Sequence, residues 1–275
     1  MLIAGFPAGA FATNCYVVAS GPGEECLIVD PGQDAEPGVT EVIAEHRLRP
    51  VAVLATHGHI DHIWSVAPVC GARGIPAYIH PADRALLSDP ARGFPLAVGQ
   101  QLFKGLTFTE PDDVVELADG MTLRLAGVEL VVDHAPGHTP GSVTFREARE
   151  QVLFSGDLLF AGSIGRTDLP GGDYPAILDS LARVCLALPD HTHVLPGHGP
   201  QTTIGAERAA NPFLAGLSTE PARGSTARPG GTPDPDGPEP PGGLKAPVTP
   251  SLGPWPPAQR SGAAGQAAGP RRPGL

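Results

Sequence analysis

The sequence predicts an α/β layered domain that ends near Leu217 and is followed by a tail without a packed core. Short apolar and β-branched runs recur between residues 14 and 196, and stretches with helical spacing separate several of them. This mixture is typical of a domain in which helices cover sheets. Adjacent hairpin-like runs in the middle of the chain indicate that part of the sheet structure is antiparallel.

Strands are predicted at the apolar runs and helices in the stretches between them. The predicted strands are 14–19, 26–30, 51–55, 77–80, two within 121–134, 142–145, 151–155 and 193–196. The predicted helices are 36–47, 62–72, 81–88, 173–188 and 205–210. Asp173 is the predicted N-cap of the fourth helix, because a carboxylate there can accept from the free amides of the first turn.

The C-terminal segment 218–275 is predicted to be disordered. From Pro221 to Leu275, 25 of 55 residues are glycine or proline, and the few large apolar residues have no helical or strand spacing. Such a segment buries too little apolar surface to offset its chain entropy. The folded domain is therefore expected to be 1–217.

Charge and cysteine usage exclude several classes of protein. The net charge is −11, and the segment 221–275 has six basic and three acidic residues, which leaves −14 for the rest. An acidic domain of this kind is a poor match for nucleic acid, because phosphate contacts need clustered Lys and Arg. The four cysteines have no C-x-x-C spacing, so we expect free thiols in the cytoplasm. We expect no membrane partner, and the oligomeric state stays open.

The segment T-H-G-H-I-D-H, residues 56–62, follows the apolar run V-A-V-L-A directly. Side chains two positions apart in an extended turn point the same way, so His57 and His59 can bind one ion. Asp61 and His62 fall where a helix is expected to begin and point elsewhere, which offers ligands to a second ion. This mixture of imidazole and carboxylate suits Zn(II), Fe(II) or Mn(II) better than Cu(I).

Three further candidate ligands lie at the ends of later strands. His138 follows the run that ends near residue 134, Asp157 follows the strand at 151–155, and His198 lies between two glycines after 193–196. Each could separately be a turn residue or a helix cap. Loops that follow strands on one rim of a sheet form sites, so we expect these side chains to meet residues 57–62 in one pocket.

The motifs T-H-x-H-x-D-H, A-P-G-H-T-P-G-S, S-G-D-L-L-F and P-G-H-G occur here in that order. In type and order they resemble the motifs of metallo-β-lactamase-fold hydrolases. The resemblance covers about 1–217 and implies a four-layer αββα sandwich with a catalytic site at one edge of two facing sheets. The segments 163–173 and 202–214 resemble the glyoxalase II-like, or hydroxyacylglutathione hydrolase-like, branch of this family.

The resemblance also implies a set of metal ligands for two divalent ions, of which Zn(II) is the first choice and Fe(II) or Mn(II) the alternatives. Asp157 is the implied bridging carboxylate, and Asp61 and Asp157 are the predicted catalytic carboxylates. The implied ligands are His57, His59 and His138 for one metal, and Asp61, His62 and His198 for the other.

Two ions that share a water would lower its pKa toward about 7 and supply hydroxide at neutral pH. Hydroxide would attack a carbonyl, and a thiol with a pKa near about 8.5 leaves as thiolate without a general acid. An alcohol or amine would need a proton donor, which the motifs do not provide. Hydrolysis of a small-molecule thioester, such as a lactoyl ester of a low-molecular-weight thiol, is therefore the predicted reaction.

Substrate binding is predicted at Arg166 and Asp168. Longer glyoxalase II enzymes hold glutathione with a Lys, a Tyr two residues later and a C-terminal helical domain. Arg166 stands at the Lys position and could bind a carboxylate through two hydrogen bonds, whereas Asp168 stands at the Tyr position and cannot replace it.

Two other activities stay open at this point. One is a persulfide dioxygenase with a single Fe(II) held by two histidines and one carboxylate, which His57, His138 and Asp157 could provide. The other is a lactonase of the same fold. A non-catalytic protein that acts through its Pro/Gly-rich tail is less well supported, because every ligand position is filled.

Overall fold

The structure is a computed structural model that describes residues 1–217. The tail predicted at 218–275 lies outside the described residues. Two six-stranded sheets and a small two-stranded sheet make up the strand content. The first sheet consists of β1 (Leu2–Ala8), β2 (Thr13–Ala19), β3 (Glu25–Val29), β4 (Arg49–Leu54), β5 (Ala77–Ile79) and β6 (Val114–Glu116), in that spatial order.

The second half of the domain contains the remaining strands. They are β7 (Thr122–Leu125), β8 (Val128–His134), β9 (Val143–Glu147), β10 (Val152–Gly156), β11 (Leu159–Phe160), β12 (Ser163–Ile164), β13 (His193–Pro196) and β14 (Thr202–Thr203). The second large sheet has the order β14-β13-β10-β9-β8-β7, and β11 pairs with β12 separately. Strands β7 to β10 are antiparallel, and β10 pairs with β13 in parallel.

Seven helices connect or cover the sheets in the described range. They are α1 (Glu36–His46), α2 (Ile60–Ile63), α3 (Val66–Arg73), α4 (Pro81–Arg84), α5 (Leu96–Leu102), α6 (Tyr174–Ser180) and α7 (Ile204–Ala210). Asp173 is the N-cap of α6, and its Oδ1 accepts from the amide of Ala176 at 3.0 Å, which confirms the predicted cap. None of the helices within residues 1–217 has both the length and the apolar character that a bilayer crossing requires.

The side chains of β3 show how the layers arise. Leu27 and Val29 pack between the two sheets against residues such as Phe145 and Phe154, whereas Ile28 points to the opposite face. Alternate residues of a strand face opposite sides of its sheet, so each sheet has an inner and an outer apolar face. The predicted four-layer αββα sandwich is confirmed.

The helices cover the two outer faces. Val39 of α1 and Val69 of α3 pack on the outer face of the first sheet. Ile177 of α6 and Ile204 of α7 do the same on the second sheet. All four cysteines are buried and unpaired, as their spacing predicts.

The helix predicted over 62–72 is wrong as a single element. The structure has a short helix α2, then a break, and then α3. At the break, the hydroxyl of Ser65 donates to the carbonyl of Gly32 at 2.6 Å, and its amide donates to the carbonyl of Pro31 at 3.0 Å. These tertiary hydrogen bonds interrupt the helix, and residue spacing along the chain does not reveal them.

The loops that carry the candidate ligands all follow strand ends on one rim. Strands β3 and β4 are parallel, and so are β10 and β13, so their carboxyl ends lie at the same side of each sheet. Several contacts join the sheets at this rim. Among them, the amide of Val143 donates to the carbonyl of Thr56 at 2.8 Å, and Thr13 forms a β-bridge with His198.

Candidate metal centre

The seven predicted ligands come together at this rim. They fall into three overlapping groups, and within each group the candidate ligand atoms lie within 4.8 Å of one another. We call His57, His59 and His138 the first group, and Asp61, His62 and His198 the second group; the remaining set, His57, His62 and Asp157, connects the two. The sequence therefore predicted which side chains would meet, although they are up to 141 positions apart between His57 and His198.

The first group consists of three buried imidazoles. Nε2 of His138 lies 3.2 Å from Nε2 of His57 and 2.8 Å from Nδ1 of His59. The other ring nitrogen of His138, Nδ1, lies 2.7 Å from the carbonyl oxygen of Arg166 and donates to it. That bond places the proton on Nδ1, which leaves the lone pair of Nε2 facing the other two rings.

The second group is arranged around His62, which is fully buried. Its Nε2 lies 3.3 Å from Nε2 of His198 and 3.5 Å from Oδ2 of Asp61. The same Asp61 oxygen is 3.0 Å from Nε2 of His198 and accepts from the hydroxyl of Thr13. His198 is the most exposed of the seven side chains, at 30 %, so this group is the one that solvent reaches.

Asp157 lies between the two groups. Its Oδ1 is 3.3 Å from Nε2 of His62, and its Oδ2 is 3.5 Å from Nε2 of His138 and 3.7 Å from Nε2 of His198. A single carboxylate therefore faces ligands of both groups, which is the arrangement expected of a bridging ligand.

The electrostatics of the cluster keep two of its histidines neutral. Burial, together with the neighbouring imidazoles, lowers the pKa of His57 well below its ordinary value and lowers the pKa of His59 to about 3. Burial would also lower the pKa of His62, but the carboxylates of Asp157, Asp61 and Asp30 raise it well above the ordinary value. Neutral imidazole is the form that binds metal ions.

The donor set fits divalent metal ions. Nδ1 of His57 lies 3.1 Å from the hydroxyl oxygen of Thr56, whose own proton goes to Asp30, so Nδ1 is the protonated nitrogen of His57. The Nε2 atoms of His57 and His138 therefore face each other at 3.2 Å with a lone pair on each. Oδ1 of Asp157 is buried and accepts no hydrogen bond from the described residues. Cations placed among these atoms would satisfy all of them, which is the physical reason for treating the cluster as a metal centre.

Glycines make room for the cluster. A Cβ at Gly197 would lie 2.2 Å from Oδ1 of Asp157 and 2.6 Å from Cε1 of His62. A Cβ at Gly165 would lie 1.8 Å from the carbonyl oxygen of Asp157. Contacts under 3.0 Å are not tolerated. Only glycine therefore fits at these two positions, because a side chain at either one would displace a candidate ligand.

Asp30 is hydrogen-bonded to the cluster but is not one of the candidate ligands. Its Oδ1 accepts from the amide of Thr56 at 2.7 Å, and its Oδ2 accepts from the Thr56 hydroxyl at 2.6 Å and faces Nδ1 of His62 at 2.9 Å. In the sequence, V-D-P-G indicated a turn that could also hold a ligand loop. The structure shows that Asp30 contacts both a ligand and the strand end that precedes His57.

Arg166 and Asp168, the predicted substrate-binding residues, lie beside the first group through the bond from His138 to the Arg166 carbonyl. Their side chains are exposed and bind each other: Nε of Arg166 is 2.6 Å from Oδ1 of Asp168, and its terminal nitrogen is 2.7 Å from Oδ2. The guanidinium that was expected to bind a substrate carboxylate is therefore paired with a carboxylate of this chain.

His80 and His134 do not contact the cluster. Their rings stack with centroids 4.2 Å apart and an angle of 5° between the planes. Nε2 of His134 lies 2.9 Å from the carbonyl oxygen of Pro140. This pair is separate from the ligand groups and bonds to the loop that contains His138.

Comparison with known proteins identifies the family. The model of the metallo-β-lactamase superfamily matches residues 8–198, which include all seven candidate ligands. The chain belongs to the metallo-β-lactamase superfamily. The fold and the motif order described above agree with this membership.

Two relatives illustrate the range within the superfamily. An uncharacterized protein of Mycobacterium tuberculosis is 52% identical over 79% of this chain and 100% of its own length. The hydroxyacylglutathione hydrolase GloC of Haemophilus influenzae is 35% identical over 76% of this chain and 95% of its own length.

Two solved structures share the architecture of this superfamily member. The BLEG-1 B3 metallo-β-lactamase has a TM-score of 0.69 and 42% identity, over 78% of this chain and 100% of that chain. TTHA1623, solved in a di-iron-bound form, has a TM-score of 0.65 and 40% identity over 78% of this chain and 100% of its own.

Proposed function

We propose that this protein is a metal-dependent thioester hydrolase of the glyoxalase II-like branch, with two divalent ions in the cluster. The observation that carries the proposal is the position of Asp157 between two groups of ligands, within 3.3 to 3.7 Å of histidines from both. One ion is assigned to His57, His59 and His138, and the other to Asp61, His62 and His198. The similarity to GloC and to a di-iron-bound protein supports this assignment.

The bound ions would supply an acidified water and a Lewis acid for a carbonyl oxygen. The side chains of this protein position the ligands and supply their negative charge. Asp61 is held by its contacts with Thr13 and His198. The carboxylate of Asp157 faces both groups, at 3.3 to 3.7 Å from three histidines. Burial would raise the pKa of Asp157, but His62 and the other nearby histidines lower it, so this carboxylate stays ionised and available as a ligand.

The hydroxyl groups around the cluster favour a leaving group that needs no proton. The Thr13 hydroxyl donates to Asp61, and the Thr56 hydroxyl donates to Asp30. The Tyr16 hydroxyl donates to the carbonyl of Pro196 at 2.8 Å, and burial raises the pKa of Tyr16. A thiolate leaves without a general acid, whereas an alkoxide or an amide anion does not. A thioester is therefore the substrate class that the site supports best.

A second candidate is a persulfide dioxygenase with one iron. The observation that favours it is a smaller set inside the cluster, two histidines and one carboxylate, made by His57, His138 and Asp157. This candidate uses only three of the seven candidate ligands and leaves His59, Asp61, His62 and His198 without a role.

The experiment that tests the proposal combines metal counting with turnover. We expect about two ions per chain by elemental analysis and hydrolysis of a lactoyl thioester. Asp157→Ala should lose both ions and turnover, and His59→Ala should lose the ion of the first group together with turnover. Asp179→Ala, which changes an exposed carboxylate on α6, should change neither metal content nor turnover. One iron per chain with oxygen consumption would favour the dioxygenase. Turnover of a lactone or a β-lactam without turnover of any thioester would contradict the proposed substrate class.

A further inference from the structure

Asp83 is a buried carboxylate outside the ligand set. It lies in α4, which begins directly after β5. Its exposed fraction is 0 %, and no ion pair within residues 1–217 involves it. A buried carboxylate without a cation is costly unless several donors bind it, so its hydrogen bonds require an explanation.

Those hydrogen bonds come from two separate ligand loops. Oδ2 of Asp83 accepts from the amide of Gly58 at 2.8 Å and from the hydroxyl of Thr139 at 2.6 Å. Its Oδ1 accepts from the amide of Gly141 at 2.8 Å. Gly58 separates His57 from His59, and Thr139 directly follows His138.

The geometry points to Asp83 as a positioning residue of the metal centre, which fixes the distance between the His57–His59 loop and the His138 loop. The two loops belong to different sheets and are about 80 positions apart in the chain. One backbone hydrogen bond, from the amide of Val143 to the carbonyl of Thr56, joins the strands near these loops, and Asp83 adds contacts to the residues next to the histidines themselves. One carboxylate with two oxygens receives donors from both. Moving either loop would lengthen the distances among the three histidines that are assigned to the first ion.

The packing around Asp83 agrees with this role. A Cβ at Gly141 would lie 2.5 Å from Cγ of Asp83, and a Cβ at Gly58 would lie 3.0 Å from its Cβ. A larger residue at position 141 would therefore displace the carboxylate itself. At Gly58 the nearest atom is Cδ1 of Leu86 at 2.6 Å, so a larger residue there would press on Leu86 and on the stem of Asp83.

Asparagine is the most informative substitution for Asp83. It has the shape of aspartate but offers one acceptor oxygen and one amide donor, whereas all three partners donate. In either orientation of the Asp83→Asn side chain, an N–H group faces another N–H group. Unlike alanine, it leaves no cavity, so its effect reports on the hydrogen bonds.

This inference rests on the metal assignment of the proposed function but not on its substrate, so metal affinity is the measurement. The parent for the test is His198→Ala, which removes a ligand of the second group and leaves the first group intact. Cobalt(II) is titrated against a competing chelator and followed by its absorption spectrum. In this parent, Asp83→Asn should weaken cobalt binding about 10- to 100-fold, the range for residues that hold metal ligands.

Two controls separate positioning from general damage. Asp89→Asn changes an exposed carboxylate six positions after Asp83, and should leave cobalt affinity unchanged. Within residues 1–217 the ion pair of Asp89 is with Arg92. Thr139→Val removes one donor to Asp83 and should weaken cobalt binding, whereas Thr139→Ser keeps the hydroxyl and should restore most of the affinity.

A second parent variant tests whether Asp83 acts on the first group alone. In His59→Ala, which lacks a ligand of the first group, Asp83→Asn should change cobalt binding at the second group by less than about threefold, because Asp30 and Thr13 support that group instead.

Equal cobalt affinity with and without Asp83→Asn in the His198→Ala parent would overturn the role, and a lowered unfolding temperature alone would then make Asp83 a folding residue. If the wild-type protein itself bound no cobalt or other divalent ion, the proposed metal centre would fail, and this role with it.

Discussion

Oδ2 of Asp30 lies 2.9 Å from Nδ1 of His62, and both side chains are almost completely buried. This hydrogen bond places the His62 proton on Nδ1 and turns Nε2 toward Asp61, Asp157 and His198. The carboxylate of Asp30 thus determines which nitrogen of His62 is available as a ligand.

Asp30→Asn should weaken metal binding at the second group about 10- to 100-fold. Asp30 has a positive φ of 49°, which asparagine adopts readily, so the substitution adds no backbone strain and changes only the hydrogen bonding. Asp34→Asn is the matched control, because Asp34 has a similar φ of 55° and is exposed. Metal content after dialysis against a chelator measures both variants, and an equal loss in both would contradict the role of Asp30.

Gly197→Ala should displace Asp157 and His62, because the added Cβ would lie 2.2 and 2.6 Å from their atoms. We expect loss of at least one bound ion and a destabilisation of about 1–3 kcal/mol from overpacking. Gly71→Ala on α3 is the control, since a Cβ there meets no atom within 4 Å. That control should gain about 0.5–1 kcal/mol from helix propensity and should keep its metal. Elemental analysis and thermal unfolding decide between these outcomes.

Removal of the metal ions should lower the unfolding temperature of the protein. A ligand at 100 times its dissociation constant stabilises the folded state by about 2.7 kcal/mol, which corresponds to about 5–10 °C for a domain of this size. The metal-free protein also retains the orphaned oxygen of Asp157 and the facing imidazole nitrogens. Differential scanning calorimetry with and without chelator measures the shift. Restoration by zinc or iron but not by magnesium would agree with the histidine-rich ligand set.

Asp168→Asn should change substrate binding without changing the chemical step. The substitution weakens the pair that occupies the Arg166 guanidinium, which then can bind a carboxylate of the substrate. For a glutathione thioester we expect KM to fall about two- to fivefold with kcat unchanged, because exposed ion pairs contribute up to about 1 kcal/mol. Arg166→Gln should remove this gain in the double variant. An unchanged KM would show that Arg166 does not contact the thiol carrier.

Several elements were not predictable from residue spacing. The helix α5 (Leu96–Leu102) and strand β6 (Val114–Glu116) lie in the segment between β5 and β7, which has no regular apolar period. Strand β1 (Leu2–Ala8) contains both a glycine and a proline, which are unfavourable within strands, and it forms because it pairs along its whole length with β2. In each case tertiary packing outweighs local preference.

The sequence alone determined which side chains could form a metal centre in this protein. Imidazoles and carboxylates at the ends of apolar runs predict a metal centre, because residue type sets the ligand and strand ends set its place at a rim. The tertiary structure decided which atoms support that centre. Asp30, Asp83 and the carbonyl oxygen of Arg166 each bind a group at least 25 positions away in the chain. A carboxylate can accept from any donor that folding brings near it, so its partners depend on packing rather than on its neighbours in the chain.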